Sequence, residues 1–333
     1  MEARRANPQV NISRSTATRM WMVFSCALLA AVQSALTDSG VSLLVAFAAL
    51  IAALLAELAM TYRAYGFAKI KDGSAAASAL VLVLLLPNHI NPLYAALGAA
   101  FAMVVVKHSF GGLGSNWMNP ALGGWLFIRC SWPLAFAGAL AGSQDYFSPV
   151  GSAADQAVGT FLNNTVLPLF GAVMPAGYID LFASKAPGII ADRAAGILVL
   201  GTICIAAFQI SRSWLSLVYL AVFGFLVRML GDIPSGGILW NGDVLVALLS
   251  GGTLVTAFIL IAAPSRGAKS AAGNVVLAVL AAVLTLLFRY FGGIFYGGFF
   301  AVALVNALTP LVSRAERHLL YARGNSVREG LSA

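Results

Sequence analysis

One stretch gathers the residue types that can bind a ligand: Lys107-His108-Ser109-Phe110-Gly111-Gly112-Leu113-Gly114-Ser115-Asn116-Trp117-Met118-Asn119-Pro120-Ala121-Leu122-Gly123-Gly124. Glycines such as Gly112 let a large group approach the backbone closely. The amides of Asn116 and Asn119 supply both donors and acceptors, and Lys107 supplies a charge. Apolar runs lie on both sides, Pro92 to Val106 before it and Ala121 to Ala137 after it. Irregular backbone at membrane depth survives only where it is buried in protein or lines a polar cavity, because lipid satisfies none of its N–H and C=O groups. Two readings follow. Either the stretch faces a ligand or cofactor, or it is a helix–helix loop whose small residues allow tight packing.

Other polar groups stand inside apolar runs. A charge at the bilayer centre costs about 2.5–3.5 kcal/mol, so Glu57, Arg129 and Asp243 must face protein or water. Glu57 lies near the end of its run, where it can reach the interface. Arg129 sits deeper, placed either to pair with a carboxylate or to contact a ligand. Asp72, beside Lys71 at a helix entry, favours the helix N-terminus. Trp117, Trp125 and Trp132 read either as interface anchors or as aromatic neighbours of a redox group. The three cysteines, Cys26, Cys130 and Cys204, are far apart within apolar runs and read as small core residues. The three histidines, His89, His108 and His318, have no i,i+4 partner. No nucleophile–base pair or metal-ligand set emerges, so the sequence names no catalytic residue and no metal site.

The elements that must position these groups are membrane helices. Of 333 residues, 60% are hydrophobic and only 10% charged, which excludes an ordinary soluble domain. The net charge of +8 is dispersed in short caps between apolar runs, so it is not a nucleic-acid footprint and no nucleic-acid partner is expected. About 20 apolar residues span a bilayer as helix. The segments are Arg19–Leu36, Val41–Thr61, Ser74–Leu86, Pro92–Val106, Ala121–Ala137, Gly188–Phe208, Trp214–Leu230, Val244–Ala263, Ala271–Phe288 and Gly293–Val312. Ser74–Leu86 is short, as expected of a tilted or re-entrant helix.

With the N-terminus inside, fifteen Lys and Arg residues fall on the inner caps and four (Lys185, Arg193, Arg228, Arg289) on the outer ones. Both termini are therefore expected in the cytoplasm. The organisation reads as an N-terminal arm (1–18), a first membrane half (19–141), an outside segment (142–187), a second half (188–313) and a basic tail (314–333). The outside segment holds Asp145, Asp155 and Asp180, and its Phe161–Phe170 portion suits a short interfacial helix. A weak internal repeat links Lys71-Asp72-Gly73 with Asn241-Gly242-Asp243, and Lys107 to Gly112 with Arg289-Tyr290-Phe291-Gly292-Gly293. Five helices per half invert one copy relative to the other, the arrangement that places binding sites between halves near broken segments.

With these residues in view, the chain resembles the D subunit of the Rnf ion-translocating electron-transport complex and, more distantly, the B subunit of the Na+-translocating NADH:quinone oxidoreductase. The resemblance rests on Arg14-Ser15-Thr16, on Lys71-Asp72-Gly73-Ser74-Ala75 before a run ending in Pro87, and on Lys107-His108 through Gly114, Asn116 and Asn119-Pro120-Ala121. It continues through Arg289-Tyr290-Phe291-Gly292-Gly293 and closes on Asn306-Ala307-Leu308-Thr309-Pro310-Leu311. It implies an all-α, multi-pass subunit of the bacterial inner membrane that carries flavin and relays electrons while Na+ or H+ crosses the bilayer. It also implies partners: a periplasm-facing flavoprotein and iron–sulfur subunits, since this chain has no cysteine set for a cluster. In that family FMN is esterified to a threonine in the outside segment. The matching place here is Ala154-Asp155-Gln156-Ala157-Val158-Gly159-Thr160-Phe161-Leu162, which points to Thr160, with Thr165 as second choice. Val158 stands where the family usually has a hydroxyl. Asn116, Asn119, Gly112, Arg129 and Lys107 are the candidates for a second, non-covalent flavin or an ion. A further departure is Ala262-Ala263-Pro264-Ser265-Arg266-Gly267, which lacks the family's acidic residue before the proline. Two other readings compete: a secondary transporter or channel for a small polar solute, and a scaffold subunit without flavin.

Overall fold

The computed structural model describes residues 16–37, 40–112, 116–137, 152–170, 177–182, 188–207, 213–262 and 270–332. Arg14 and Ser15, Gly114, Lys185, and the Ala263–Gly267 part of the altered corner lie outside the described residues, as do the remaining parts of segment 142–187. Among the described residues the fold is helical, with one isolated bridge between Pro87 and Ile189.

In the first half, α1 (Thr16–Thr37) and α2 (Val41–Tyr65) are uninterrupted apolar helices. Next come α3 (Ser74–Leu84), α4 (Pro92–Phe101), extended by a π-helical turn over Ala102–His108, and α5 (Pro120–Ser131). Two short helices follow, α6 (Ala153–Thr165) and α7 (Tyr178–Phe182). The second half contains α8 (Ala195–Ala207), α9 (Ser213–Leu230), α10 (Val244–Leu249) and α11 (Thr253–Val255), the last running into a π-helical Thr256–Ile261. It ends with α12 (Ala271–Leu286), which has its own π-helical end Leu287–Phe291, and α13 (Gly297–Ser332). Each of the ten apolar runs read from the sequence thus contains helix. Among the described residues four helical stretches are long and apolar enough to cross a membrane: Ala17–Leu36, Val41–Arg63, Ala271–Phe291 and Gly297–Arg317.

Local chemistry accounts for several boundaries. Asn91 and Asn119 each precede a proline, and each side chain accepts a hydrogen bond from the second residue beyond it, Leu93 and Ala121. The proline's missing N–H costs nothing at the first helical position. Helix α3 stops inside the protein: Leu80 to Leu86 are all buried, and the chain turns at Pro87. The free carbonyls of that broken end are used by a second segment. Ile190 N–H donates to Leu86 O and Ala191 N–H to Leu84 O, both at 3.0 Å. Buried backbone that leaves a helix needs such a partner.

Small residues bring the elements together. A Cβ on Gly124 would sit 2.6 Å from Gly98 O, so α4 and α5 meet backbone to backbone. The halves touch through Trp125, fully buried, whose ring lies edge-on to Phe299 at 5.0 Å and to Phe300 at 5.1 Å. The outer faces of α1 and α2 expose Leu29, Leu36, Leu44, Phe47 and Leu55, as a surface that meets lipid or a partner protein requires.

Candidate functional site

The Lys107–Asn116 loop is built around a buried ion pair, with helix α2 supplying its anion. Lys107 Nζ donates to Glu57 Oε1 at 2.8 Å and to Ser74 Oγ at 2.8 Å. His108 Nε2 lies 2.7 Å from Glu57 Oε2. Ser74 Oγ donates in turn to Asp72 Oδ1 at 2.6 Å, and Ser74 N–H donates to the same oxygen at 2.8 Å. Asp72, Ser74, Lys107, Glu57 and His108 thus form one connected polar chain joining α2, the start of α3 and the π-helical end of α4. The side chains of Glu57 and Lys107 are 0% and 1% exposed. At that depth each charge depends on the other. Glu57 therefore does not reach the interface as expected from its place in the sequence, and Lys107 is an internal counter-ion instead of a surface cap. Neither signal was visible in sequence because the partners are 50 residues apart.

The loop closes on the same lysine. Gly112 N–H donates to Lys107 O at 2.9 Å. The buried Asn116, its amide nitrogen turned inward, donates to Gly112 O at 2.8 Å and to Lys107 O at 3.0 Å. Gly111 and Gly112 have φ values of 99° and 89°, the region a side chain disfavours. Gly112 is itself buried, and among the described residues no atom lies within 4 Å of a Cβ added there. Asn119 caps α5. Gly123 and Gly124 instead serve packing, Gly123 against Val106 and Gly124 against Gly98. Arg129 is half-buried at the far end of α5; it donates to Pro133 O at 3.4 Å and lies over the Phe136 ring at 5.3 Å. Among the described residues no carboxylate pairs with it. The structure thus brings Lys107, Gly112 and Asn116 together, with Asn119 capping the next helix, and leaves Arg129 elsewhere. Cys130 is exposed, against its reading as a core residue, and Trp125 is fully buried, against the interface-anchor half of its two readings.

A second cation marks the other half. Arg289, in the π-helical end of α12, donates through Nη1 to Ala247 O at 2.8 Å, to Ser250 O at 3.1 Å and to Thr253 Oγ1 at 3.1 Å. Its Nη2 donates to Ser250 Oγ. The guanidinium therefore spans the gap between α10 and α11, where Gly251 and Gly252 take φ values of 66° and 68°. Lys107 and Arg289 share a setting: a π-helical turn, a glycine of positive φ soon after, and a side chain returned to a helix end in the same half. This correspondence follows the repeat read from the sequence.

The described parts of segment 142–187 are tied together by reciprocal caps. Ser152 Oγ accepts from Asp155 N–H, while Ser152 N–H donates to Asp180 Oδ2 at 2.7 Å. The buried Asp155 accepts from Gly177 N–H at 2.8 Å and Ile179 N–H at 2.9 Å, which caps α7. Helix α6 consequently starts at Ala153, earlier than the expected Phe161. Tyr178 Oη donates to Asp243 Oδ2, tying α7 to the start of α10. Partial burial and the Asp243 carboxylate push the Tyr178 hydroxyl pKa upward. Thr160 and Thr165 are both exposed on α6.

These features define a helical, multi-pass membrane protein assembled around broken helices and two internal cation clamps. The description "NQR2, RnfD, RnfE family" matches residues 3–321, and the chain belongs to that family. It is 28% identical over 317 residues to a protein of Clostridium ljungdahlii named as the D subunit of a proton-translocating ferredoxin:NAD(+) oxidoreductase complex, covering 93% of this chain and 92% of that one. It is 26% identical over 258 residues to an Acetobacterium woodii protein named as the D subunit of a Na(+)-translocating ferredoxin:NAD(+) oxidoreductase complex, covering 76% and 74%. A Shewanella denitrificans protein, named as the D subunit of an ion-translocating oxidoreductase complex, is 27% identical over 347 residues, covering 95% and 97%.

Proposed function

We propose that this chain is a flavin-carrying inner-membrane subunit of an ion-translocating oxidoreductase complex, inactive alone. In this reading it relays electrons between partner subunits while Na+ or H+ crosses the bilayer. The observation that supports it is near-complete coverage by relatives named as the D subunit of ion-translocating oxidoreductase complexes. The partners are a periplasm-facing flavoprotein and iron–sulfur subunits. The ten apolar runs span the membrane as two inverted halves, with both termini cytoplasmic and the 142–187 segment outside.

FMN is attached through its phosphate to Thr160, with Thr165 the second choice. The described residues fit such a group: the Thr160 side chain is exposed, and the Ser152, Asp155 and Asp180 bonds hold its helix in place. When bound, a flavin supplies one- and two-electron chemistry. The chain's part is to hold its phosphate end at α6 and to brace that helix, through Asp155, Tyr178 and Asp243, against the second half. The Asn116–Asn119 loop fits a second flavin less well. Asn119 Oδ1, the Asn116 amide nitrogen and the Lys107 ammonium are all engaged within the protein.

The rival reading, a transporter of a small polar solute, draws on the two broken helices. Membrane vesicles containing the assembled complex separate the two. Ion uptake that starts with electron donor and stops when this chain is deleted supports the proposal. Solute uptake that proceeds without electron donor supports the rival.

A further inference from the structure

The 3₁₀ turn Asp192–Ala194 carries a carboxylate that nothing above uses. Asp192 is only 4% exposed. Its Oδ1 accepts from Gly252 N–H at 2.8 Å. Its Oδ2 is buried and makes no hydrogen bond among the described residues. A buried carboxylate oxygen without a partner is costly, and one retained in a tightly packed interior calls for a reason. The neighbours sharpen the case. Gly252 belongs to the left-handed pair that joins α10 to α11, and Arg289 grips the same join through Ala247 O, Ser250 O and Thr253 Oγ1. Asp192 and Arg289 therefore hold one helix break from two sides, with no direct ion pair between them within 4 Å among the described residues. Glycine is required here: a Cβ on Gly251 would lie 3.0 Å from the guanidinium carbon of Arg289, and one on Gly252 2.5 Å from Phe299.

We propose that Asp192 is a proton-binding site inside the bundle, coupled to the α10–α11 break. The step is a simple one. A proton delivered by water forms an O–H bond at Oδ2, the carboxylate becomes neutral, and no electron moves. Oδ1 continues to accept from Gly252 N–H, but as a neutral acceptor it holds the turn less firmly. Arg289 then loses the negative charge opposite it, so protonation loosens one side of the break while the other side stays clamped. The geometry favours a proton over a metal cation. Oδ1 is taken by a backbone donor, and a cation needs several oxygens converging on it, whereas only Oδ2 is free. The charged and titratable groups on the surrounding elements are Arg193 beside it, Arg19 and Cys26 on α1, Tyr178 and Asp180 on α7, Cys204 on α8, and Arg289 across the break. Of these, Arg289 is the one whose charge acts on Asp192. Using this proton in transport rests on the function proposed above. The protonation itself does not.

The test is an infrared pH titration of the full chain in lipid nanodiscs, with aspartate carboxyl carbons isotopically labelled. The expected result is a labelled carboxylic-acid C=O component that titrates and appears in the wild-type-minus-Asp192→Asn difference spectrum; the amide oxygen of that variant still accepts from Gly252. A difference spectrum without such a component at any pH at which the protein stays folded overturns the proposal. If Asp192→Asn does not yield folded protein, Asp192→Glu, whose carboxyl is unlabelled, replaces it. The same labelled component must then appear in the wild-type-minus-Asp192→Glu difference, and its absence is equally fatal. A chain without flavin, or a complex without ion transport, would sink the proposed function and leave this band unaffected.

Discussion

Replacing Lys107 with methionine removes the ammonium but keeps most of the side-chain volume. Glu57, 0% exposed, is then left with His108 as its remaining partner, and Lys107's bond to Ser74 is gone as well. Removing one partner of a buried pair costs about 3–5 kcal/mol, because the survivor keeps its desolvation penalty without compensation. Glu57→Gln strands Lys107 in the same way and should cost a similar amount. The double variant Lys107→Met/Glu57→Leu removes both charges, and replacing a whole buried pair by apolar groups is often close to neutral. The double variant should therefore be more stable than either single one, with a coupling energy above about 2 kcal/mol. Reversible unfolding in mixed detergent micelles, followed by tryptophan fluorescence, gives the four stabilities of the cycle. Single variants within about 0.5 kcal/mol of wild type, or strictly additive effects, would refute the claim that this pair organises the loop.

Further substitutions probe the break, the turn and the α6–α7 platform. Gly252→Ala combines a left-handed backbone with a Cβ 2.5 Å from Phe299, and should lose about 2–5 kcal/mol in the same unfolding assay. Gly112→Ala meets no described atom within 4 Å and should lose only about 1 kcal/mol, so equal losses at the two sites would contradict the packing described. Arg289→Lys cannot span Ala247, Ser250 and Thr253 with a single ammonium. It should cost about 1–3 kcal/mol and speed amide exchange at Gly251 and Gly252, measured by mass spectrometry. Asp155→Ala uncaps α7 and should make residues 152–182 sensitive to limited proteolysis while global unfolding changes little.

Much of the architecture was legible in the sequence. The apolar runs mark the helices because a bilayer leaves the backbone few alternatives, and Asn-Pro at 91–92 and 119–120 marks two helix starts through one capping rule. The shortness of Ser74–Leu86 suggested a tilted or re-entrant helix, and in the structure α3 ends among buried residues. The site was less legible. Asn116 looked like a ligand contact because an amide beside glycines has no partner that the sequence reveals, yet it closes the turn over Lys107. Glu57 looked like an interface residue because hydropathy reports depth along one helix and says nothing of a lysine 50 positions away. Arg289, read as an outer cap and as part of a weak repeat, holds a helix break through carbonyls that no motif announces. The early start of α6 depended on Ser152, Asp155 and Asp180 meeting across a gap of 28 residues.

That this chain carries covalent flavin is tested most directly by the intact mass of the purified protein, co-produced with a flavin transferase, as wild type and as Thr160→Val. The expected result is a wild-type mass raised by one FMN less one water, and an unmodified Thr160→Val chain. An adduct that survives in the variant would move the attachment to Thr165. An unmodified wild-type chain would contradict the proposed flavin-carrying role.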